Sequence, residues 1–403
     1  MQAAALRAAI AGELRGNLLP FWRERSEDHE RGGFIAQMAN DGTVRVDAAR
    51  GLILNSRLLW TFSALCRRQA DPRDLELARR AYVAVESSFR DREHGGYLWR
   101  IAPDGRPLER TKKIYGQAFC IYALSEYHLA TGEDGALDAA REVYELIERH
   151  AHDVRDGGYI EARAEDWSAT ADLRLSDVDM NAAKSMNTQL HLLEAYTNLY
   201  RAWPSAGVAA RLRELIELFG RHILDLGGGP GHGHLHHFFD EQWRVLSDTC
   251  TYGHDIEASW LLCEAAEVLD DERLATSVRE WAIELARTVL DQAVDDDGGL
   301  AYEGRNGTVI DPRRDWWCQA EAVVGFWNAF RLTDERAFAD AAQRVWSFIE
   351  RAVVDRSGGD WFSRVGADRT VDDGEPKVSE WKGPYHNVRM CLEMMRRIGA
   401  NGA

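Results

Sequence analysis

The 403-residue chain has no CxxC pair, no apolar run approaching a membrane span and no excess of basic charge, and each absence removes a class of function. Its six cysteines (Cys66, Cys120, Cys250, Cys263, Cys318, Cys391) lie far apart, mostly in helical-looking stretches, so they spell neither a zinc site nor a dithiol centre. They are expected to be free thiols in a reducing cytoplasm. Without about 18 consecutive apolar residues, no segment is expected to span a bilayer. Residues 1–15 mix charges into an apolar stripe, as an amphipathic helix does and a secretory leader does not. The Asn306-Gly307-Thr308 sequon is then expected to mark a turn rather than a glycan. With 66 acidic against 49 basic residues the net charge is -17, which disfavours nucleic acid and anionic membrane as partners. A neutral or cationic small molecule fits better. Strand-like alternation is scarce too, confined to short pieces such as residues 97–101 that read as small hairpins at one end of the fold.

What the chain does have is a repeat. A double glycine followed by an aromatic or apolar residue recurs at Gly32-Gly33, Gly95-Gly96, Gly157-Gly158, Gly298-Gly299 and Gly358-Gly359, with a looser copy at Gly227-Gly228-Gly229. The spacing is roughly 60 to 70 residues, enough for a helical hairpin and a loop. Between the marks lie pairs of helical patterns, 52–68 with 75–89, 115–130 with 136–149, 184–202 with 207–224, 254–269 with 272–290 and 316–332 with 335–353. The last pattern, 385–398, is left to pair with the N-terminal helix. Six hairpins in one domain over residues 1–403 predict an all-α (α/α)6 barrel, with short β-hairpins in the loops at one end. An open superhelix is the competing architecture. With 45% hydrophobic residues the chain can bury a large core.

The first helix of each pair opens on residues a plain core helix would avoid. They are Arg57, Tyr115, Asn187 with His191, His254 with Glu257, Trp316 and Trp317 with Glu321, and Trp381 with His386. These openings recur with the period of the glycines, again roughly 60 to 70 residues. In a closed ring they converge on the axis and line one pocket. His254 and Glu257, three apart, share a helix face, as do Asn187 and His191, four apart. Glu194 stands one turn beyond His191, where it can orient it. Each residue also has a structural reading: Arg57 as an ion-pair residue, His191 as a satisfied core histidine, His386 as a cap, the tryptophans as core. Fourteen tryptophans, two of them adjacent at 316 and 317, suit the stacking of sugar rings.

Four blocks carry a resemblance. Residues 184–197, Tyr252-Gly253-His254-Asp255-Ile256-Glu257, Trp316-Trp317-Cys318-Gln319-Ala320-Glu321-Ala322 and Ser379-Glu380-Trp381-Lys382-Gly383-Pro384-Tyr385-His386-Asn387 resemble the signature stretches of the N-acylglucosamine 2-epimerase superfamily. The chain looks most like its cellobiose 2-epimerase branch, over essentially the whole length. The resemblance implies an (α/α)6 barrel and epimerisation at C2 of a reducing sugar, with His191, His254 and His386 catalytic. It puts Arg57, Asn187, Glu257, Trp317 and Trp381 against the substrate; Tyr115, Trp316 and Glu321 join them as pocket residues of the repeat. Gln189 and Gly383 depart from the pattern, where His and Cys are expected, and bear on sugar preference.

The chemistry suits these groups. Inverting C2 needs ring opening, loss of the C2 proton to an enediolate, and a proton returned on the opposite face, so two acid/base groups must flank the carbon. Imidazole, with a pKa near 6.5, can serve on both sides. His254 and His386 are the expected pair, His191 assists at the carbonyl or ring oxygen, Glu257 orients His254, and Arg57 steadies the enediolate oxygens. No metal or other cofactor is called for. The partner is a mono- or disaccharide, the protein a monomer or weak homodimer. A mannose 2-epimerase or an aldose-ketose isomerase would use the same enediolate. A glycoside hydrolase would instead need two opposed carboxylates, with Asp255, Glu257, Glu321 and Glu380 as candidates, and a helical-repeat scaffold would need no inward polar groups at all. The stretch 231–238, rich in histidine, reads as a structured loop over the pocket mouth rather than a metal site. Gly227-Gly228-Gly229-Pro230-Gly231 lacks the βαβ surroundings of a dinucleotide loop.

Overall fold

Thirteen α-helices form among the described residues, 3–227 and 232–399, of the computed structural model. In chain order they are α1 (Ala3–Glu13), α2 (Leu19–Arg25), α3 (Leu52–Gln69), α4 (Pro72–Ala84), α5 (Ile114–Thr131), α6 (Asp134–His150), α7 (Met186–Ala202), α8 (Ala206–Leu218), α9 (Tyr252–Leu269), α10 (Glu272–Ala293), α11 (Trp316–Thr333), α12 (Arg336–Phe348) and α13 (Tyr385–Gly399). Two kinds alternate. α3, α5, α7, α9 and α11 are buried around most of their circumference, as when Ile114 through Tyr127 of α5 are all shielded. Their partners show one apolar stripe; α6 buries Ala136, Ala139, Ala140, Val143, Tyr144 and Ile147, the period of an amphipathic helix on a core.

Each hairpin turns sharply. α3, α5, α9 and α11 end on a residue in the left-handed region, at Ala70, Gly132, Asp270 and Asp334. The helix that follows is often capped by a side chain, Asp71 accepting from the Arg73 N–H and Asp271 from the Leu274 N–H. At their far ends α1, α4, α8 and α12 widen into π-helical turns at 14–18, 85–89, 219–223 and 349–353, which account for the longer helical patterns in the sequence.

The inner helices make contact in a circuit: α3 with α5, α5 with α7, α7 with α9, α9 with α11, α11 with α13, and α13 back with α3. Outside it α4, α6 and α12 pack on their own hairpin partners, α8 on both α7 and α9, α10 on both α9 and α11, and α1 on α13. The short strands follow the same circuit rather than forming only local hairpins. The strand entering each inner helix pairs with the strand that follows the next glycine turn: Arg50–Gly51 with Arg100–Ile101, Lys112–Lys113 with Ala162–Arg163, Lys184–Ser185 with Phe238–Phe239, Cys250–Thr251 with Glu303–Arg305, and Arg314–Asp315 with Arg364–Val365. Val378, just before α13, exchanges both backbone hydrogen bonds with Met38 near the start of the chain. Local hairpins also occur, one of them turning through Asn306 and Gly307 at positive φ, so the sequon does sit in a turn.

The glycine marks carry a latch. An aspartate before the turn receives backbone N–H groups and pairs with a cation two residues ahead of the inner helix: Asp91 with Lys112 at 2.5 Å, Asp153 with Lys184 at 2.8 Å, Asp28 with Arg50 at 2.6 Å, and Asp295 with Arg314. A glutamine in the first turn of the helix then clamps the backbone of the residue after the glycines. Gln117 accepts from the Tyr97 N–H (2.9 Å) and donates to its carbonyl (2.8 Å), Gln189 does the same to Tyr159, and Gln319 to Leu300. Gly96 and Gly158, both at positive φ, lie where a Cβ would meet Trp167 and Trp243 at 2.7 and 2.5 Å. The fourth unit departs from this scheme: Cys250 stands in the cation's place and Asp255 in that of the glutamine. Gly228 and Gly229 of the looser glycine copy, with Pro230 and Gly231, lie outside the described residues. No helix among the described residues is long and apolar enough to cross a membrane.

Candidate active site

The openings of the inner helices surround a cavity of about 390 Å³. Arg57 on α3, Tyr115 on α5, Asn187 and His191 on α7, His254 and Glu257 on α9, Trp316 and Trp317 on α11, Trp381 in the loop ahead of α13 and His386 in its first turn all line it. Only Glu321 of the expected set does not reach the cavity; it stands behind His386. A second cavity of about 300 Å³ shares Asn187, His254, Tyr302, Leu175, Val178 and Asp179 with the first, so the space continues under the segment before α7.

Each of the three histidines is held by Nδ1 and has no hydrogen-bond partner on Nε2 among the described residues. His191 Nδ1 lies 2.9 Å from Glu194 Oε2, His386 Nδ1 2.7 Å from Glu321 Oε1, and His254 Nδ1 2.5 Å from the Thr251 hydroxyl. Glu194 thus orients His191, as their spacing suggests. Glu257 does not orient His254: its Oε1 accepts from Arg389, and its buried Oε2 has no partner among the described residues. The reason is helix geometry, since Glu257 one turn on points at the axis, whereas Thr251 ahead of the helix comes alongside the ring. His254 and His386 both pack against Trp317, with ring centroids 4.7 and 5.7 Å from it.

At the centre, Arg389 of α13 joins three helices. Its guanidinium donates to Glu194 of α7, to Glu257 of α9 at 2.5 Å and to Glu321 of α11 at 2.8 Å. It is 2% exposed and lies over the rings of Trp260 and Tyr385. Tyr385 donates to Glu194, and Trp260 Nε1 to Glu321 Oε2 at 3.0 Å. The sequence reading missed Arg389; the available signal was a lone arginine three residues after His386 on the same apolar face. Arg57 is different, donating to Tyr115 Oη and the Trp381 carbonyl, both at 2.9 Å, with no carboxylate in ion-pair range among the described residues. A buried cation beside the cavity is thereby left available for a negative charge.

The electrostatics sort these groups. Burial, then the neighbouring His237, His191 and His386, hold His254 well below the ordinary imidazole range, and burial with Arg57 and Arg389 does the same for His386. Both are neutral at pH 7. Burial opposes ionisation of Glu194, but Arg389, with His191 and Tyr385, overcomes it and holds the carboxyl at about 2. Burial and the nearby Glu321 push Glu257 up to about 7 despite Arg389, and burial raises Glu321 as well.

Of the carboxylates a hydrolase could use among Asp255, Glu257, Glu321 and Glu380, only Glu257 lines the cavity. Asp255 is turned away, accepting from His234 Nδ1 (2.7 Å) and the Leu235 N–H (2.9 Å), and Glu380 pairs with Arg100. The histidine tract is built into the fold. His232 pairs with Asp225, His234 with Asp255 and Gln292, and His237 lies against Thr251. His234, Cys250 and Asp255 come close enough to share an ion, yet both nitrogens of His234 and both oxygens of Asp255 are already hydrogen-bonded within the protein. Gln189 is buried in its latch with Tyr159 and absent from the cavity wall.

A family model described as N-acylglucosamine 2-epimerase (GlcNAc 2-epimerase) matches residues 33–389. The cellobiose 2-epimerase of Bacteroides fragilis is 41% identical over 392 residues, 97% of this chain and 98% of that protein. The solved structure of the cellobiose 2-epimerase from Bacillus thermoamylovorans superposes with a TM-score of 0.92 at 36% identity, covering 98% of this chain and 100% of that one. The D-mannose isomerase of Marinomonas mediterranea is 23% identical over 396 residues, 91% of this chain and 92% of that protein.

Proposed function

The chain belongs to the N-acylglucosamine 2-epimerase family and is a carbohydrate epimerase, and from that premise we propose that it inverts C2 of the reducing-end sugar of a cellobiose-type β-1,4-disaccharide, with His254 and His386 as the opposed acid/bases. The observation that carries the reading is the presentation of three imidazoles to one cavity, each anchored through Nδ1 with Nε2 left for substrate. Preference for a disaccharide is supported by the continuous second cavity and by the similarity to cellobiose 2-epimerases over nearly the whole chain.

The sugar ring opens to the aldehyde, with His191 beside the carbonyl or ring oxygen. One neutral imidazole takes the C2 proton and becomes imidazolium as the C–H electrons pass into the enediolate; the other, carrying a proton on both ring nitrogens in the enediolate complex, returns one to the opposite face and becomes neutral, and proton exchange with solvent resets the pair. Neutral imidazoles at pH 7 suit the abstraction step. Arg57, with no carboxylate in ion-pair range among the described residues, faces the enediolate oxygens, where a preorganised charge is worth roughly 3 to 4 kcal/mol in the transition state. Asn187 and Glu257, each with a buried oxygen that has no partner among the described residues, accept from sugar hydroxyls, and Trp316, Trp317, Trp381 and Tyr115 supply ring faces. The chemistry calls for no metal or other cofactor. The closed circuit of inner helices supports a single (α/α)6-barrel domain. We read the protein as cytoplasmic, a monomer or weak homodimer.

Incubation in heavy water with cellobiose, mannose and N-acetylglucosamine in turn, followed by NMR, tests this. Deuterium at C2 and formation of the mannose-end epimer are expected with cellobiose. Exchange confined to mannose would move the substrate to a monosaccharide. Cleavage of the glycosidic bond with no C2 exchange in any of the three would sink the epimerase mechanism.

A further inference from the structure

His254 and His386 are backed by different chemistry. Behind His386 stands Glu321, whose Oε1 also receives Arg389 and whose Oε2 receives Trp260. Surrounded by donors, it accepts the Nδ1 proton of His386, so the neutral ring offers a bare Nε2 to the cavity. Behind His254, among the described residues, stands only the Thr251 hydroxyl. Thr251 occupies the N-cap position of α9, yet its side chain does not cap the helix, in contrast to Ser185 at the same position of α7, which accepts from the Thr188 N–H.

The direction of the Thr251 hydroxyl follows from His237. The Thr251 backbone N–H donates to His237 Nε2 at 3.1 Å. An imidazole nitrogen has one in-plane lone pair, so that acceptor is taken, and neutral His237 carries its proton on Nδ1. Burial holds His237 at about 4, so it is neutral at pH 7. The Thr251 oxygen lies 3.3 Å from this occupied nitrogen and 2.5 Å from His254 Nδ1. Its proton therefore goes to His254.

We propose that Thr251, fixed by His237, is a positioning residue that sets His254 in the tautomer with its proton on Nε2, so that the two imidazoles meet the substrate in unlike states. His386 presents a lone pair to the C2 proton, and His254 presents an N–H to the sugar. The assignment rests on the two-histidine reading and adds to it the group that makes the pair unequal.

The test labels histidine with ¹⁵N and reads the ring nitrogens of His254 by NMR, identified by the signals lost in His254→Ala. The wild type is expected to show a proton-bearing Nε2 and a bare Nδ1. Thr251→Val is expected to mix the two tautomers and lower kcat by about tenfold or more with KM within about twofold, a loss in the range of misplaced acid/base catalysis. Thr251→Ser, which keeps the hydroxyl, is expected to recover both the tautomer and most of the kcat. A proton on Nδ1 of wild-type His254, an unchanged kcat in Thr251→Val, or a Thr251→Ser variant as impaired as the valine would each overturn the proposal; the serine and the wild-type spectrum decide it even if the valine fails to fold. Normal C2 exchange in both His254→Ala and His386→Ala is a separate result and would instead remove the two-histidine reading.

Discussion

Arg389 ties Glu194, Glu257 and Glu321 to one guanidinium, and two of those carboxylates stand next to histidines at the cavity. A fully buried charge of this kind is tolerated because three carboxyl groups and the Tyr385 hydroxyl accept from it; taking away one side of such a pair costs about 3 to 5 kcal/mol. Arg389→Met is therefore expected to lower unfolding stability by about that amount in urea titration, and to depress kcat as the carboxylates behind His191 and His386 lose their anchor. A variant with wild-type stability would show the hub to be dispensable. The histidines themselves give a second expectation. His254→Ala and His386→Ala should each abolish C2 deuterium exchange while circular dichroism stays native. Because burial holds both imidazoles below 6.5, acid should reduce kcat only well under that pH. An acid limb centred at 6.5 or above would mean that water reaches these rings freely.

The elements are positioned by the latch between each glycine turn and the helix that follows. Lys184 shows its density: it donates to Asp153 Oδ2, the Gly157 carbonyl and the Glu241 carbonyl at 2.7 to 2.8 Å, with no exposure of its side chain. Gln189, one turn on, answers both backbone groups of Tyr159, as Gln117 and Gln319 do for Tyr97 and Leu300 in two other units. It departs from the residue expected by family resemblance, but its neighbours show it serving the fold. Gln189→Leu leaves a buried N–H and C=O unpaired, each costing about 1 to 3 kcal/mol. A lower denaturation midpoint is expected, with an unaltered ratio of kcat/KM between cellobiose and mannose. A shifted ratio at full stability would return Gln189 to sugar selection.

At the scale of the molecule, the Met38–Val378 pairing and the contact of α13 with α3 join the chain's last unit to its first. The convergent interior traps carboxyl groups, and their titration should govern stability. Burial raises Glu161 to about 8, against the hydrogen bonds of Thr188 and Ser185, and Glu257 to about 7. For such groups the native state binds protons more tightly than the unfolded chain, so stability falls as pH rises from about 4.5 toward 8. Glu194, held at about 2, has the opposite sign: its contribution is present above about 4.5 and lost toward pH 2. Below about pH 6.5 the buried neutral imidazoles His237, His254 and His386 act in the opposite sense, so melting temperature is expected to decline between about pH 6.5 and 8, with a shallower slope in Glu161→Gln, which cannot ionise. An equal slope in that variant would show that Glu161 titrates normally.

The period of the double glycines, the paired helical patterns and the polar openings were legible in the sequence because each is a local constraint: a turn needs residues that accept positive φ, a buried helix needs apolar length, and a pocket needs polar groups at matching points of the repeat. Ten of the eleven expected site residues line one cavity for that reason. The partners behind them were not legible. Arg389 meets Glu194, Glu257 and Glu321 across 195, 132 and 68 residues of chain, and strands that form local hairpins also pair across units. Sequence by itself determined which groups face inward. Only the tertiary structure decided which carboxylate, hydroxyl or guanidinium stands behind each imidazole, because that depends on how neighbouring helices close around the axis and not on the spacing within any one of them.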